Sequence, residues 1–164
     1  MSNLTKITHS IAFFLHLHPL SILSVFNTYF IFLIKVQTKM AFLKLGLTFL
    51  FGAFMVYAGI NHFLKPAMYF PFFADFLPKE ALNYASGIAE IIVGVLVFVP
   101  KYRYYGTLGI LVLMIAFLPL HVADVFKEHP AVGTHQIALI RLPFQFLFIA
   151  WAWFIHDRNA ASKS

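Results

Sequence analysis

The chain has 164 residues, of which 61% are hydrophobic and only 11% are charged, and its mean hydropathy is +0.83. This is too little polar sequence to cover a water-soluble globule, so the composition predicts an integral membrane protein. The net charge is +6, but the cations stand singly at the ends of apolar runs. We therefore interpret them as orientation signals and as contacts to anionic lipid, with the bilayer as partner and no nucleic acid.

The sequence contains no cysteine. Disulfide exchange, thiolate catalysis, iron–sulfur clusters and cysteine-ligated zinc are thereby excluded. No two histidines share a face of one span at positions suited to a pair of b-type haem ligands, and no metal site is predicted. The chain itself is expected to carry no redox cofactor, so any electrons would belong to a bound quinone or to a partner protein.

Residues 1–39 contain the apolar run Ile11–Ile34, which is long enough to span a membrane but holds Pro19 and two histidines. Three interpretations stay open for this extension: an extra N-terminal transmembrane helix, an uncleaved signal anchor, or a wrongly assigned start. Met40 opens a better-formed span, which favours the third interpretation. We expect the remainder of the chain to fold without the extension.

Residues 40–156 are predicted to be one all-α domain, a polytopic membrane four-helix bundle. The predicted spans are Phe42–Phe63, Ala81–Val99, Gly106–Val122 and His135–His156. The connector Leu64–Glu80 holds three prolines and five aromatic residues, which predicts an interfacial lid, a re-entrant hairpin or an ordinary amphipathic loop. The polar tail 157–164 is predicted to be disordered.

Glu90 is the anomaly of the second span, because it puts a carboxylate near the midpoint of an apolar helix. A charge at that depth costs on the order of 3 kcal/mol or more, so the side chain is expected to face other helices and to have a partner. Helical spacing places small and polar residues on the same face: Asn83, Gly87 and Gly94, with Ser86 beside them. A structural ion pair or a protonated, hydrogen-bonded acid is weighed equally with a substrate or proton site.

Arg141 is the predicted partner of Glu90, because its long side chain can reach down from the outer part of the last span. Gln145, one turn deeper, and Ser86, one turn above Glu90, are predicted to supply the hydrogen bonds that a buried pair needs. Asn83 completes this predicted buried polar cluster. Three further residues are predicted to line its outer-side access: His62, His121 and Asp124.

The basic residues predict the orientation of the spans. One side of the predicted membrane carries most of them and should be cytoplasmic: Lys35, Lys39, Lys44, Lys101, Arg103, Arg158 and Lys163. The other side carries Lys65, Lys79 and Lys127 with most of the acids of the loops. Both ends of the four-span core are thus predicted to be cytoplasmic.

Five short fragments occur in a distinctive order along residues 40–156: Gly59-x-x-His62-Phe63, Ser86-Gly87-x-x-Glu90-x-x-x-Gly94, Pro100-x-x-Arg103, Phe117-x-Pro119, and Arg141-Leu142-Pro143-x-Gln145 leading to Trp151-Ala152. Together they resemble the DoxX-like family of small bacterial four-helix membrane proteins, which includes MauE-like members. The family usually has asparagine where this chain has His121, and it normally has no counterpart to residues 1–39.

The resemblance implies a four-helix protein of the bacterial cytoplasmic (inner) membrane with a polar centre, associated with redox or maturation systems. The leading hypothesis is an accessory or quinone-interacting subunit of a membrane redox pathway, partnered by another subunit of a redox complex. An intramembrane enzyme or small proton-coupled transporter using Glu90 is the second hypothesis. An assembly or scaffold protein without chemistry is the third.

Overall fold

The computed structural model describes the backbone of residues 3–156 and the side chains of residues 24–156. Most of this part of the chain lies in four α-helices: α1 (Asn3–Leu64), α2 (Lys79–Phe98), α3 (Arg103–Val125) and α4 (His135–Ile155). No β-strand occurs among residues 3–156. The all-α fold predicted from the apolar runs is therefore confirmed, and the tail 157–164 lies outside the described residues.

The chain divides into two compact units, residues 1–43 and residues 44–164. The predicted break between the run Ile11–Ile34 and the next span is not observed, because α1 continues through it. The polar residues from Lys35 to Lys39 include no glycine or proline, and lysine and glutamine are good helix formers, so nothing local ends the helix there. In the first unit, the described side chains of residues 24–43 are all exposed.

Four helical segments are long and apolar enough to cross a membrane: Ser24–Leu64, Lys79–Phe98, Pro100–Val125 and His135–Ile155. Each carries apolar side chains on its outer surface, including Ile88, Val112 and Leu147, which are about half exposed. Such an apolar exterior suits lipid and not water. The protein is accordingly a multi-pass helical membrane protein.

Four glycines bring α1 and α2 into backbone contact within the second unit. A Cβ atom at Gly59 would lie 2.6 Å from the Gly87 carbonyl oxygen, and one at Gly87 would lie 2.9 Å from that of Gly59. One heptad away, a Cβ atom at Gly94 would lie 2.7 Å from the carbonyl oxygen of Gly52. The two helices therefore run antiparallel with their backbones in contact at both glycine pairs, as small residues permit in membrane helices.

The apolar core lies beside this crossing and receives side chains from all four helices. Its buried members are Phe51, Met55, Val97, Ile110, Leu111, Met114, Ala152 and Ile155. Phe51 contacts Trp151 of α4, with ring centroids 4.6 Å apart. A Cβ atom at Gly106 of α3 would lie 2.7 Å from the Val97 amide nitrogen of α2. The core therefore ties α1 to α4 and α2 to α3.

The connector between α1 and α2 is irregular, as its prolines predict. It contains only two short 3₁₀ turns, Pro66–Met68 and Phe70–Phe72. The Lys127 ammonium in the α3–α4 loop donates a hydrogen bond to the Pro71 carbonyl oxygen. The connector and the α3–α4 loop therefore meet at one end of the bundle, and the tight α2–α3 turn lies at the other end.

We expect Gly59→Ala to lower the free energy of unfolding by about 1–3 kcal/mol, because its methyl group would overlap backbone atoms that cannot move independently of α2. Gly46→Ala is the matched control on the same helix, since nothing lies within 4 Å of a Cβ atom there. Denaturation of the two variants in detergent micelles measures the difference. Equal stability of both variants would contradict the close crossing.

Candidate functional site

His62 and Asn83 join α1 to α2 through two hydrogen bonds. The Asn83 amide nitrogen donates to the His62 carbonyl oxygen over 2.8 Å. Its amide oxygen lies 2.7 Å from His62 Nδ1, and an amide oxygen can only accept. His62 Nδ1 must therefore carry a hydrogen, which leaves Nε2 as the ring nitrogen whose proton can come and go. Asn83 is fully buried, so this arrangement is shielded from solvent.

Glu90 lies on the other side of the same imidazole. Its Oε2 atom is 3.5 Å from His62 Nε2, close enough for an ion pair but too far for a strong hydrogen bond. Only 5% of Glu90 is exposed, and Oε2 has no hydrogen-bond partner among the described residues. Because Nδ1 donates to Asn83, we assign one proton to the space between Nε2 and Oε2, where it keeps two lone pairs from facing each other. The pair is thus neutral overall, as neutral glutamic acid with imidazole or as carboxylate with imidazolium.

A cavity of about 150 Å³ opens beside this pair, between α2 and α3 and beneath the connector. Engineered apolar protein cavities of about this size bind benzene, so the volume suits a single six-membered ring. Its walls are mainly aromatic and apolar, with a few polar groups: His62, Tyr69, Phe72, Phe73, Ser86, Glu90, Phe117, Leu120 and His121. The combination of apolar walls and few polar groups is typical of a small-molecule site.

The connector forms one wall of the cavity, to which it contributes Tyr69, Phe72 and Phe73. The Tyr69 ring stacks on the His62 imidazole at a centroid distance of 3.7 Å. Burial raises the pKa of the Tyr69 phenol, and the nearby Glu90 carboxylate raises it further, so the hydroxyl group stays neutral. Phe72 meets His121 edge to face at 5.7 Å. The sequence predicted a lid only as one of three alternatives, and the structure places these two rings of the connector against the site.

The predicted pair of Glu90 and Arg141 is wrong. Arg141 instead pairs with Asp124, which is 1% exposed and also accepts a hydrogen bond of 2.7 Å from the Ala131 amide. The error arose because depth along each span was compared without knowing which helices face each other. Asp124 lies in the last turn of α3 and Arg141 in the second turn of α4, so the short loop between the helices brings these two residues together, whereas Glu90 faces α1.

The remaining predicted residues fall in different places. Gln145 is buried as expected, but it donates a hydrogen bond of 2.6 Å to the Met114 carbonyl oxygen and so ties α4 to α3. Ser86 lines the cavity beside Glu90. His121, predicted to line an access path, lines the cavity itself, and its Nδ1 atom is buried without a hydrogen-bond partner among the described residues. The predicted cluster is therefore two separate groups, one around Glu90 and one around Asp124.

Sequence reasoning did not select Tyr69, Leu120 or Phe117 as site residues. Tyr69 and Leu120 carry no charge and lie in aromatic or apolar segments, where nothing in the pattern distinguishes them from lipid-facing neighbours. Phe117 had a weak signal, since it belongs to the fragment Phe117-x-Pro119 of the family resemblance. Among residues 24–156, no group of three acidic, histidine or cysteine side chains is arranged to hold a metal ion.

The Arg141 guanidinium connects the group around Asp124 to the connector, since it lies 5.2 Å from the centre of the Phe72 ring. This distance suits a cation–π contact. Arg141 thus holds the buried Asp124 carboxylate on one side and the connector on the other. The ion pair therefore positions one wall of the cavity without lining it.

We expect Arg141→Gln to lower the free energy of unfolding by about 3 kcal/mol, because it leaves the Asp124 carboxylate buried and unpaired. Asp124→Asn should restore much of this loss in the double variant. Detergent denaturation of the single and double variants measures the coupling.

Two controls accompany this double-mutant cycle of Arg141 and Asp124. Asp75→Asn should have no measurable effect, because the Asp75 side chain that pairs with Lys79 is fully exposed. Arg141→Gln and Glu90→Gln should be additive, since each residue has a different partner. Coupling between Arg141 and Glu90 in place of Asp124 would contradict the observed pairs.

Comparison with known proteins adds one family assignment. No curated protein and no solved structure matches the chain. Residues 51–156 match a family model described as a domain of unknown function, DUF8561. The match covers more than half of the chain and includes the last part of α1, the cavity, both polar groups and all of α2, α3 and α4. The chain therefore belongs to the DUF8561 family.

Proposed function

We propose that this protein is an accessory, quinone-interacting subunit of a membrane redox pathway. The observation that carries the proposal is that Glu90 lines a ring-sized cavity while its buried Oε2 atom has no hydrogen-bond partner among the described residues. A buried polar atom without a partner costs about 1–3 kcal/mol, and a bound polar headgroup would recover part of this cost. The resemblance of residues 40–156 to the DoxX-like family supports the redox setting.

The walls of the cavity favour a headgroup that is a single oxygenated ring on a lipid-soluble tail. Phe72, Phe73 and Phe117 supply aromatic surface, and Tyr69, Ser86 and His121 supply groups that can bond to oxygen. Because the exterior of α2 and α3 is apolar, a hydrocarbon tail can remain in the lipid while the ring occupies the cavity. The sequence has no cysteine, so electron transfer is assigned to a partner subunit and to the bound ring.

A decyl-substituted 1,4-benzoquinone and the corresponding hydroquinone test this proposal by titration into nanodiscs that contain the full chain, with empty nanodiscs subtracted. We expect saturable binding of at least one form. Leu120→Trp should weaken it at least about tenfold, roughly 1.4 kcal/mol, because the larger side chain fills the cavity that Leu120 lines.

Leu147→Trp is the matched control, because Leu147 is 58% exposed on α4 and does not line the cavity. It should bind the ring compounds as the parent does. Equal affinity of both tryptophan variants would place the binding elsewhere and contradict the proposal. A substrate-dependent proton flux into vesicles that requires Glu90 would favour a small proton-coupled transporter. The supporting observation for that alternative is the 3.5 Å contact between His62 Nε2 and Glu90 Oε2.

We also propose that the protein lies in the bacterial cytoplasmic membrane with the α2–α3 turn in the cytoplasm. Lys101 and Arg103 lie at that end, together with Lys44 near the start of the second unit. The opposite end carries Lys65, Lys79 and Lys127, but also most of the acids of the loops. Over the whole sequence, more basic residues are predicted at the first end than at the opposite end. This excess supports the proposed orientation.

Reporter fusions test the orientation. A fusion at Arg103 should report the cytoplasm, and a fusion at Lys127 should report the opposite compartment. The two fusion sites should lie on opposite sides of the membrane because α3 passes between them. The charge bias predicts that the Arg103 side is the cytoplasmic one. The same compartment for both fusions would contradict the topology, and reversed compartments would contradict the orientation.

A further inference from the structure

Glu90 offers the cavity an acceptor and no donor, whichever partner holds the shared proton. If His62 is imidazolium, Glu90 is a carboxylate, which only accepts hydrogen bonds. If His62 is neutral, its Nδ1 hydrogen is already held by Asn83, so the proton lies on Glu90 and points at Nε2. In both forms, only lone pairs of Glu90 Oε2 remain for a ligand.

The other polar groups of the cavity can interact with either a hydrogen-bond donor or a hydrogen-bond acceptor on the ligand. The hydroxyl groups of Tyr69 and Ser86 can each donate or accept, and a neutral His121 imidazole has one donor and one acceptor. These groups can adapt to a carbonyl or to a hydroxyl oxygen. Glu90 cannot adapt, because its environment fixes where any hydrogen that it carries must point.

We infer that the cavity selects a ring that bears a hydroxyl group over the same ring bearing only carbonyl oxygens, so that the preferred ligand is of the phenol or hydroquinone class. The inference rests on the proposed function, since it assumes that a ring occupies the cavity. Asn83 is the positioning residue: it sets the His62 tautomer, and through it the hydrogen-bonding character of Glu90. A carbonyl oxygen placed at Glu90 Oε2 would face lone pairs and be repelled.

The test compares decyl-1,4-hydroquinone with decyl-1,4-benzoquinone, titrated anaerobically into nanodiscs that hold the full chain. We expect the hydroquinone to bind about tenfold more tightly, the size of effect expected when one hydrogen bond replaces a repulsive contact. In Glu90→Gln, the amide at the Oε2 position would donate one hydrogen to His62 and have a second for the ligand. The preference for hydroquinone should therefore vanish or reverse in this variant.

The outcomes separate the inference from the proposed function. Equal binding of both forms to the parent protein, or tighter binding of the quinone, would overturn the inference while leaving the ring site in place. An undiminished preference in Glu90→Gln would overturn it as well. Binding of neither form would overturn both. If the variant does not fold, the ratio of affinities in the parent protein still decides.

Discussion

The close crossing of α1 and α2 is the constraint on which the candidate site depends. Gly59 and Gly87 let the two backbones touch, and this contact places His62 within hydrogen-bonding distance of Asn83 and beside Glu90. A single methyl group at either glycine would separate the helices, and the directional contacts of the imidazole would be lost with them. In a membrane, where lipid is as apolar as the helices, such packing is the main force that joins them.

The two buried acids, Glu90 and Asp124, belong to two separate pairs, and each pairing has a physical reason. Asp124 lies in the last turn of α3 and Arg141 in the second turn of α4, so the short α3–α4 loop brings them together at the end of the bundle where the connector also lies. Glu90 is deeper and meets a histidine, which can share a proton and so need not leave a permanent net charge in the membrane. Neither acid is left alone at a depth where isolation would be costly.

The shared proton links the packing to the proposed chemistry. Because Asn83 fixes one nitrogen of the imidazole, only the nitrogen facing Glu90 can gain or lose a proton. The pair can therefore accept a hydrogen bond from a ring hydroxyl group while the cavity walls hold the ring by apolar contact. Tyr69 stacks on the His62 imidazole and so shields it from water at the connector end of the bundle.

The sequence by itself determined the helical class, the four spans of the core and the inward face of α2, because apolar length and helical periodicity are local properties of the chain. It also identified Glu90 as a residue that needs a partner. It did not determine that partner. Arg141 could be matched to Glu90 or to Asp124 by depth alone, and only the tertiary structure decided, because helix adjacency depends on the glycine contacts of α1 with α2 and on the short loop between α3 and α4. The continuity of α1 was likewise decided by the structure, since polar residues that bound an apolar run do not break a helix.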